Sequence, residues 1–579
     1  MKSINRILTG EEPIPKEWKE GMIKTIYKGK GKKGMMINER GITMSSNMGK
    51  LAERIIADRI LEQINMTDNQ AGGKKRISTS DHIIVIKNII KHNRRKRKPT
   101  YITLLDVTKA YDKAWLEGIM YALQKSGLRE AEWKITKELS NNLTARINTI
   151  HGQTREINIQ DSIRQGGVLS VIQYANLIDE IAKDLKGHNL GCYQTDNSEE
   201  IPCLLWMDDV ALLTTDKEKM QKMLDRVQEI AEKYRIHFGT EKSNIMIIGK
   251  KDTDPGLKLM NQEIKPTTKY KYLGYTLNDK NNNSDHIQNC RSKAEMAYQT
   301  LLSIMGNKNF RQIEMDTAWK LVKTTIIPII TYAGESIDMN KKEIQEINRI
   351  LDNILKRLLM VPQSTPREPL YLETGIMDIE TTINRNRIMM LNRISKTDSI
   401  LLKTNTDDHE KTQWRKSTDD IIKRYRLDPE TIISQKKSRI KKIVNEAVRK
   451  QFRTEMIQKA LEKTKSKHFL YTTDGLTQTQ NKNRYIYKLT RMESNAIFRA
   501  RTKMIDVKMN YKGKYSDTTC RHCKKHPETQ EHILQECEVL HEQEKSKTRE
   551  EDLRMTSQLL LRETAKKIIS TMTKHLESI

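Results

Sequence analysis

Apolar positions along the chain follow two rhythms. Over the first 280 residues or so, short β-rich runs alternate with helical stretches. YITLLDV (Tyr101–Val107) is a nearly continuous apolar run that contains one acid, which predicts a buried strand. CLLWMDDVALLTT (Cys203–Thr215) predicts strand, tight acidic turn and strand. A helix is expected next. Thr215 and Glu218 fit a capping box, and Met220, Met223, Leu224, Val227 and Ala231 keep helical spacing. From about Asp285 the pattern turns almost wholly helical, as in Ile347, Ile350, Leu351, Ile354 and Leu358. Residues 403–500 are highly charged with helical patches such as Ile440–Phe452, the pattern of a solvated helical connector. A cysteine-bearing module follows at about 510–541, and an amphipathic helix with Ala565 and Ile568 near one face closes the chain.

Composition narrows the class. The 579 residues have room for several domains at roughly 100–200 residues each. Lys and Arg (104) outnumber Asp and Glu (75), giving a net charge of +29. Such an excess attracts a polyanion, whose phosphates release counterions on binding. Charge alone does not say which: ribosomal, chromatin and tRNA-handling proteins share it. Aromatics are 5%, so base stacking is sparse and phosphate tracking should dominate. NRRKRKP (Asn93–Pro99) fits a nuclear localisation signal, an RNA-phosphate contact or a solvated loop. Lys436, Lys437, Arg439, Lys441, Lys442, Arg449 and Lys450 concentrate more charge in the connector. No stretch reaches the roughly 18 apolar residues of a membrane span, and MKSINRILTGEEP lacks an apolar signal core. Six cysteines in this length make no disulfide framework. A soluble intracellular protein without a membrane partner is expected, nuclear rather than cytoplasmic.

Two acidic positions stand on strand-like segments: Asp106, and the pair Asp208–Asp209. Carboxylates beside apolar strands are costly without a counter-charge, and adjacent aspartates repel. A divalent metal removes that cost; oxygen ligands suit Mg²⁺, and paired ions can clamp both oxygens of an in-line displacement. The plain alternative is turn chemistry, where aspartates are common.

The neighbours of these acids resemble the reverse transcriptases of non-LTR (LINE-type) retrotransposons, in order along nearly the whole chain. Pro13–Gly31 looks like the segment opening the fingers, NERGITMSS (Asn38–Ser46) and QAGGKKRISTSDHI (Gln70–Ile83) like two fingers motifs. LLDVTKAYD (Leu104–Asp112), RQGGVLSV (Arg164–Val171) and WMDD (Trp206–Asp209) resemble motifs A, B and C. TEKSNIM (Thr240–Met246), YKYLGYTL (Tyr270–Leu277) and TYAGES (Thr331–Ser336) resemble motif D, the primer-grip region and a thumb segment. Each is weak alone; the order is specific.

The resemblance implies an α+β right-hand polymerase. Fingers would occupy 1–100, truncated at the N-terminus, the palm 101–280 and a helical thumb 281–402. A basic connector (403–509), a small zinc module (510–541) and a helix (542–579) would follow. It implies an RNA-directed DNA polymerase using an RNA template, a DNA primer or target and dNTPs. Asp106, Asp208 and Asp209 would hold two Mg²⁺ ions, with the Val107 carbonyl as an added ligand. Tyr111 would exclude a ribose 2′-hydroxyl, its alternative being an ordinary core aromatic. Lys28, Arg40 and Lys74 would meet the triphosphate, with Lys24, Lys30 and Lys32 competing for the role of Lys28. Gln165, Gly166 and Gly167 would approach the nascent base pair, and Lys242 would protonate pyrophosphate. Departures from the family pattern are Trp206 and Met207 in motif C, Val171 in motif B, and Gly41, Gly73 and Ile77 in the fingers. None removes a catalytic group.

Cys520, Cys523, His532 and Cys537 form Cys-x2-Cys-x8-His-x4-Cys, a spacing that can surround Zn²⁺. His522 and His526 are rival ligands. The segment also resembles the Cys-Cys-His-Cys module that follows the polymerase in this family, as a nucleic-acid contact or a structural staple. The chain ends 42 residues after Cys537. The expectation is therefore a polymerase core lacking the endonuclease domain, with a separate endonuclease as a candidate partner. A catalytically lapsed nucleic-acid-binding remnant is the alternative; an intron maturase or an RNA replicase is a third reading.

Overall fold

The computed structural model describes all residues except 1, 30, 33, 36–37, 150–151, 160–161, 251–255, 305–314, 473–484, 512, 542–547, 549–551, 553–557 and 578–579. Lys30 and most of 542–557 thus lie outside the described residues. The chain divides into two units: residues 1–282 with 393–416, and residues 283–392 with 417–579. Residues 393–416, which the sequence reading split between thumb and connector, fall within the first unit.

The first unit opens with helices α1 (Lys2–Leu8) and α2 (Lys16–Lys19), strands β1 (Glu20–Tyr27) and β2 (Glu39–Ser45), and helices α3 (Asn47–Gln63) and α4 (Thr79–Arg95). Strand β3 (Thr100–Asp106) leads to helices α5 (Leu116–Lys125) and α6 (Glu130–Ser140). Strands β4 (Leu143–Thr149), β5 (Gly152–Gln153) and β6 (Ile157–Ile159) precede helix α7 (Val168–Leu185). Strands β7 (Cys203–Trp206) and β8 (Asp209–Thr214) precede helix α8 (Lys217–Tyr234). Then come β9 (Asn244–Ile248), β10 (Lys258–Leu259), β11 (Gln262–Glu263), β12 (Lys265–Pro266), β13 (Lys269–Tyr272) and β14 (Tyr275–Asn278).

The central sheet has the order β12-β9-β3-β8-β7. All its pairs are antiparallel except β12 with β9. Six of the seven residues of β3 are buried, which is why the run reads as apolar without alternation. Tyr101, Leu105, Leu212 and Ile245 share one core with Ile119 and Leu123 of α5, Leu177, Ile178 and Ile181 of α7, and Met220, Leu224 and Val227 of α8. Each fully buried Leu or Ile contributes about 1.5–3 kcal/mol relative to exposure. Helix α8 begins one residue later than expected. Its N-cap is Asp216, which accepts from Lys219 N at 3.0 Å, rather than Thr215; a carboxylate is the stronger acceptor at the positive end of the helix dipole.

A second sheet joins β2, β1, β4 and β5, with β6 on β4. It therefore combines residues on both sides of the boundary drawn from sequence at residue 100. Strands β13 and β14 form a separate hairpin.

The second unit is helical. Helix Lys341–Leu358 starts with an Asn340/Glu343 capping box and buries Ile347, Ile350, Leu351, Ile354, Leu355 and Leu358. Helix Lys437–Leu461 buries Ile440, Val444, Val448, Phe452, Met456 and Ala460 at four-residue spacing and leaves its cations outward. The fully buried Trp319 ring donates from Nε1 to the Ile486 carbonyl at 2.8 Å. Among the described residues, no helix is long and apolar enough to cross a membrane.

Candidate active site

Strand register brings the acids together. Asp106, the last residue of β3, pairs directly with Asp209, the first of β8. Trp206 pairs with Asp209 across a two-residue turn made of Met207 and Asp208. Met207 has φ +58°, a conformation that such a turn demands and that a non-glycine side chain adopts at some cost.

The turn is braced from behind. Gln70 Oε1 accepts from Gly72 N (2.8 Å) and Met207 N (3.3 Å), while its Nε2 donates to the Ala175 carbonyl (3.2 Å). Backbone bonds run from Ala71 N to Leu205 O and from Leu205 N to Asn69 O. A Cβ at Gly72 would stand 2.6 Å from Met207 N, so the brace needs glycine there. On the other side, Gly239 N donates to Asp106 O (2.8 Å) and Thr108 N to His237 O (2.8 Å). That bridge leaves the Val107 carbonyl out of the pairing.

The acids are electrostatically uncomfortable. Asp209 is exposed at the surface, yet the protein mass packed around it thins its hydration and, with Asp208 and Asp106 beside it, pushes it up to about 6. Asp208 is raised as well, chiefly by burial and also by Asp106, against the pull of Arg40. Lys242 Nζ lies 3.6 Å from Asp106 Oδ2. Tyr270 is pushed up to about 12 by burial and then by Asp209 and Asp106. Its hairpin is anchored by the fully buried Tyr272, hydrogen bonded to His82 Nδ1 at 3.0 Å. The His82 ring also meets Trp206 edge-on at 5.7 Å. Burial, reinforced by Lys74, brings His82 down to about 3 and keeps it neutral.

A cleft of about 490 Å³ is lined by Tyr111, Gln165, Gly166, Gly167 and Val168, with Arg54, Asp58 and Lys75 among its other walls. Tyr111 stacks on Tyr174 with ring centroids 5.3 Å apart. Burial and then Asp208 push its hydroxyl up to about 12.

Of the cations expected at the nucleotide, Arg40 on β2 is exposed and within electrostatic reach of Asp208. Lys28 follows β1, exposed, with its amide bonded to Asn38 O, and neither it nor Arg40 lines the cleft. Lys74 points elsewhere: its Nζ donates to Thr67 O (2.7 Å) and Met66 O (3.4 Å) and lies 3.8 Å from Asp68. Its neighbour Lys75 reaches the cleft wall instead, 2.9 Å from Asp58. Sequence reasoning missed Lys75, Arg54, Tyr174 and the brace Gln70. The doubled lysine of GGKKR was the available signal for Lys75; Tyr174 and Arg54 carry none without the fold.

In the second unit, Cys520, Cys523, His532 and Cys537 offer ligand atoms all within 4.8 Å of one another. Cys520 Sγ and Cys537 Sγ are 3.9 Å apart. Tetrahedral Zn–S bonds of about 2.3 Å would set two sulfurs about 3.8 Å apart. Cys523 Sγ lies 3.2 Å from His532 Nε2. Burial opposes ionisation of Cys523, yet the Lys525 and His526 amides and the His532 ring bring its thiol down to about 6. The rival His522 is engaged elsewhere, its Nε2 2.7 Å from His575 Nδ1 on the closing helix. The His526 ring lies tilted against His532, centroids 5.5 Å apart, and is not one of the four. The fully buried Glu528 accepts from Arg521 Nε and Nη2 and from Lys508 N, which fixes the loop around the ligands.

Comparison with known proteins finds similarity at the level of sequence family. Residues 30–277 match the family described as reverse transcriptase (RNA-dependent DNA polymerase). Over 404 residues the chain is 24% identical to a retrovirus-related Pol polyprotein from the type-1 retrotransposable element R2 of Popillia japonica, covering 67% of this chain and 54% of the relative. Over 363 residues it is 23% identical to the RNA-directed DNA polymerase from mobile element jockey of Drosophila melanogaster, covering 60% and 38%. The chain thus spans about half or less of the length of these relatives. Among solved structures, apo telomerase from Candida tropicalis aligns at TM-score 0.36 and 13% identity, over 77% of this chain and 73% of that one. Residues 30–277 are therefore a reverse transcriptase domain, in a chain homologous to the polymerases of non-LTR retrotransposons.

Proposed function

We propose that this chain adds deoxynucleotides to a primer 3′-hydroxyl on an RNA template, with two magnesium ions held by Asp106, Asp208 and Asp209. The observation that carries the reading is the register that sets Asp106 against Asp209, with Asp208 in the adjoining turn. Acids raised by crowding form an oxygen donor set suited to a hard divalent cation. Magnesium bound there supplies Lewis-acid activation of the hydroxyl and neutralises charge on the phosphates. The Val107 carbonyl is free of the strand bridge and is a further oxygen ligand.

The chain's own residues do the positioning. Tyr111, held flat by Tyr174, takes the room a ribose 2′-hydroxyl would need and so selects deoxynucleotides. Gln165 and Gly166 present backbone to the nascent base pair. Arg40 meets the triphosphate, its fork matched to phosphate oxygens, with Lys28 farther along the same hairpin. Lys242 gives a proton to the departing pyrophosphate. Lys74 holds its loop, and Lys75 and Arg54 take over the cationic wall of the cleft.

In this reading β1, β2, α3 and α4 are fingers, the central sheet is the palm and 283–392 is the thumb. RNA template and DNA primer phosphates follow the cations of the connector, and the Asn93–Pro99 run supports nuclear entry. Cys520, Cys523, His532 and Cys537 hold Zn²⁺ as a structural staple. The test is primer extension by the full chain on a primed RNA with Mg²⁺. Extension with dNTPs and not with rNTPs is expected; no extension would overturn the reading.

A further inference from the structure

The segment Arg164–Leu169 is stitched to elements far from it in sequence. The Arg164 side chain is buried and donates from Nη1 to the Trp18 carbonyl (2.9 Å) and from Nη2 to the Lys19 carbonyl, at the entry to β1. The next carbonyl, that of Gln165, accepts from Thr43 N on β2 at 2.8 Å. Gly166 has φ +115°, and a Cβ there would stand 2.9 Å from Thr43 O. Glu53, on α3, closes the set. Its Oε2 accepts from Val168 N (2.7 Å) and Leu169 N (3.4 Å), the first turn of α7, and its Oε1 lies 3.7 Å from Arg164 Nη1. Glu53 and Arg164 are 6% and 5% exposed.

Neither side chain lines the nucleotide cleft, whereas Gln165, Gly166, Gly167 and Val168 between them all do. A buried ion pair adds little net stability, because desolvation offsets most of the attraction. What this pair does supply is geometry. It ties the segment to α2, at the entry to β1, and to α3, while the Gln165 carbonyl between these anchors bonds to Thr43 of β2.

We infer that Glu53 and Arg164 are positioning residues that lock the nucleotide-facing segment Gln165–Val168 to the β1–β2 hairpin, which carries Arg40. The inference rests on the polymerase reading above. The cleft-lining segment and the hairpin that carries Arg40 then move as one body, and nucleotide binding depends on a pair that never touches nucleotide.

Steady-state primer extension separates this role from a merely structural one. Glu53→Ala should raise the dNTP KM about tenfold while kcat falls less than about threefold, because placement rather than chemistry is lost. Glu53→Gln should restore most of the KM, since its amide oxygen still accepts from Val168 N. Arg164→Lys keeps the charge but loses the fork that spans two carbonyls, and should give the same split as Glu53→Ala. An unchanged dNTP KM in the folded variants, or a loss confined to kcat, overturns the inference. Amide exchange in the full chain gives a reading independent of catalysis. Glu53→Ala should speed exchange at Val168 and Leu169 and also at Thr43, across from Gln165. Faster exchange at Val168 and Leu169 alone overturns the coupling. Failure of the wild type to extend would sink the polymerase reading, and the exchange result would still decide the coupling.

Discussion

The acidic turn and the cysteine module both gather ligands suited to a cation, and they do it in opposite ways. At the turn, strand register and the Gln70 brace force three carboxylates together, and the charges stay at odds: Asp208 and Asp209 are both raised. In the module the loop around the ligands is pinned by charge pairing and packing. Cys520 and Cys537 are buried in the core of the second unit with Ile533 and Leu534, Glu528 is answered by Arg521, and Cys523 is already disposed to ionise. In the proposed reading the contrast separates a site that works from a site that holds. An open, frustrated set of oxygens leaves room for substrate phosphates, whereas a closed, soft set of sulfurs leaves none.

That contrast can be broken most sharply at the turn. Asp106→Ala should lower the single-turnover extension rate by about a thousandfold or more, the scale of losing metal-assisted charge stabilisation. RNA affinity at fixed salt should hardly move, since phosphate contacts elsewhere set it. If the acids were only turn formers, the rate would survive.

At the module the expectation reverses. Cys523→Ser, or removal of zinc by a chelator, should lower the melting temperature and expose residues 510–541 to protease, because structural metal binding is folding free energy. Extension of a short primer should fall far less than in Asp106→Ala. Equal losses in both assays would erase the distinction between the two sites.

Smaller effects sharpen the picture. Tyr111→Ala should cut discrimination against rNTPs by about one to two orders of magnitude, measured as a ratio of kcat/KM values. The pH dependence carries a definite sign. Asp209 sits at about 6 without metal, above its usual value near 3.9. A raised acid favours its protonated form, so the metal-free fold loses stability as pH rises from about 4 through about 6. Magnesium displaces that proton, so the gain in melting temperature on adding Mg²⁺ should grow between about pH 5 and about pH 7.5. A gain independent of pH would mean that the ion binds elsewhere.

The turn was legible in sequence because strand, acidic turn and strand are local, and Asp106 stands at the end of a β-rich apolar run that reads as a buried strand. The module was legible because its ligand spacing is local too. The brace was not. Gln70 and Gly72 act on Met207 across 135 or more residues, and only the fold shows that a cleft wall is made by Arg54 and Lys75. The side-chain direction of Lys74 was not legible for the same reason. Two adjacent lysines look alike until burial draws one toward the Thr67 carbonyl and leaves the other at the cleft. Thr215 yielded the cap to Asp216 because two acceptors one residue apart are distinguished by backbone geometry.

The most direct test combines rate and stability in one variant. Asp208→Asn keeps the shape of the turn and removes one of its crowded charges. Extension on primed RNA should fall by about a thousandfold or more, while the melting temperature without Mg²⁺ should equal or exceed that of the wild type, since repulsion with Asp106 and Asp209 is relieved. Extension at the wild-type rate by this variant would contradict the account.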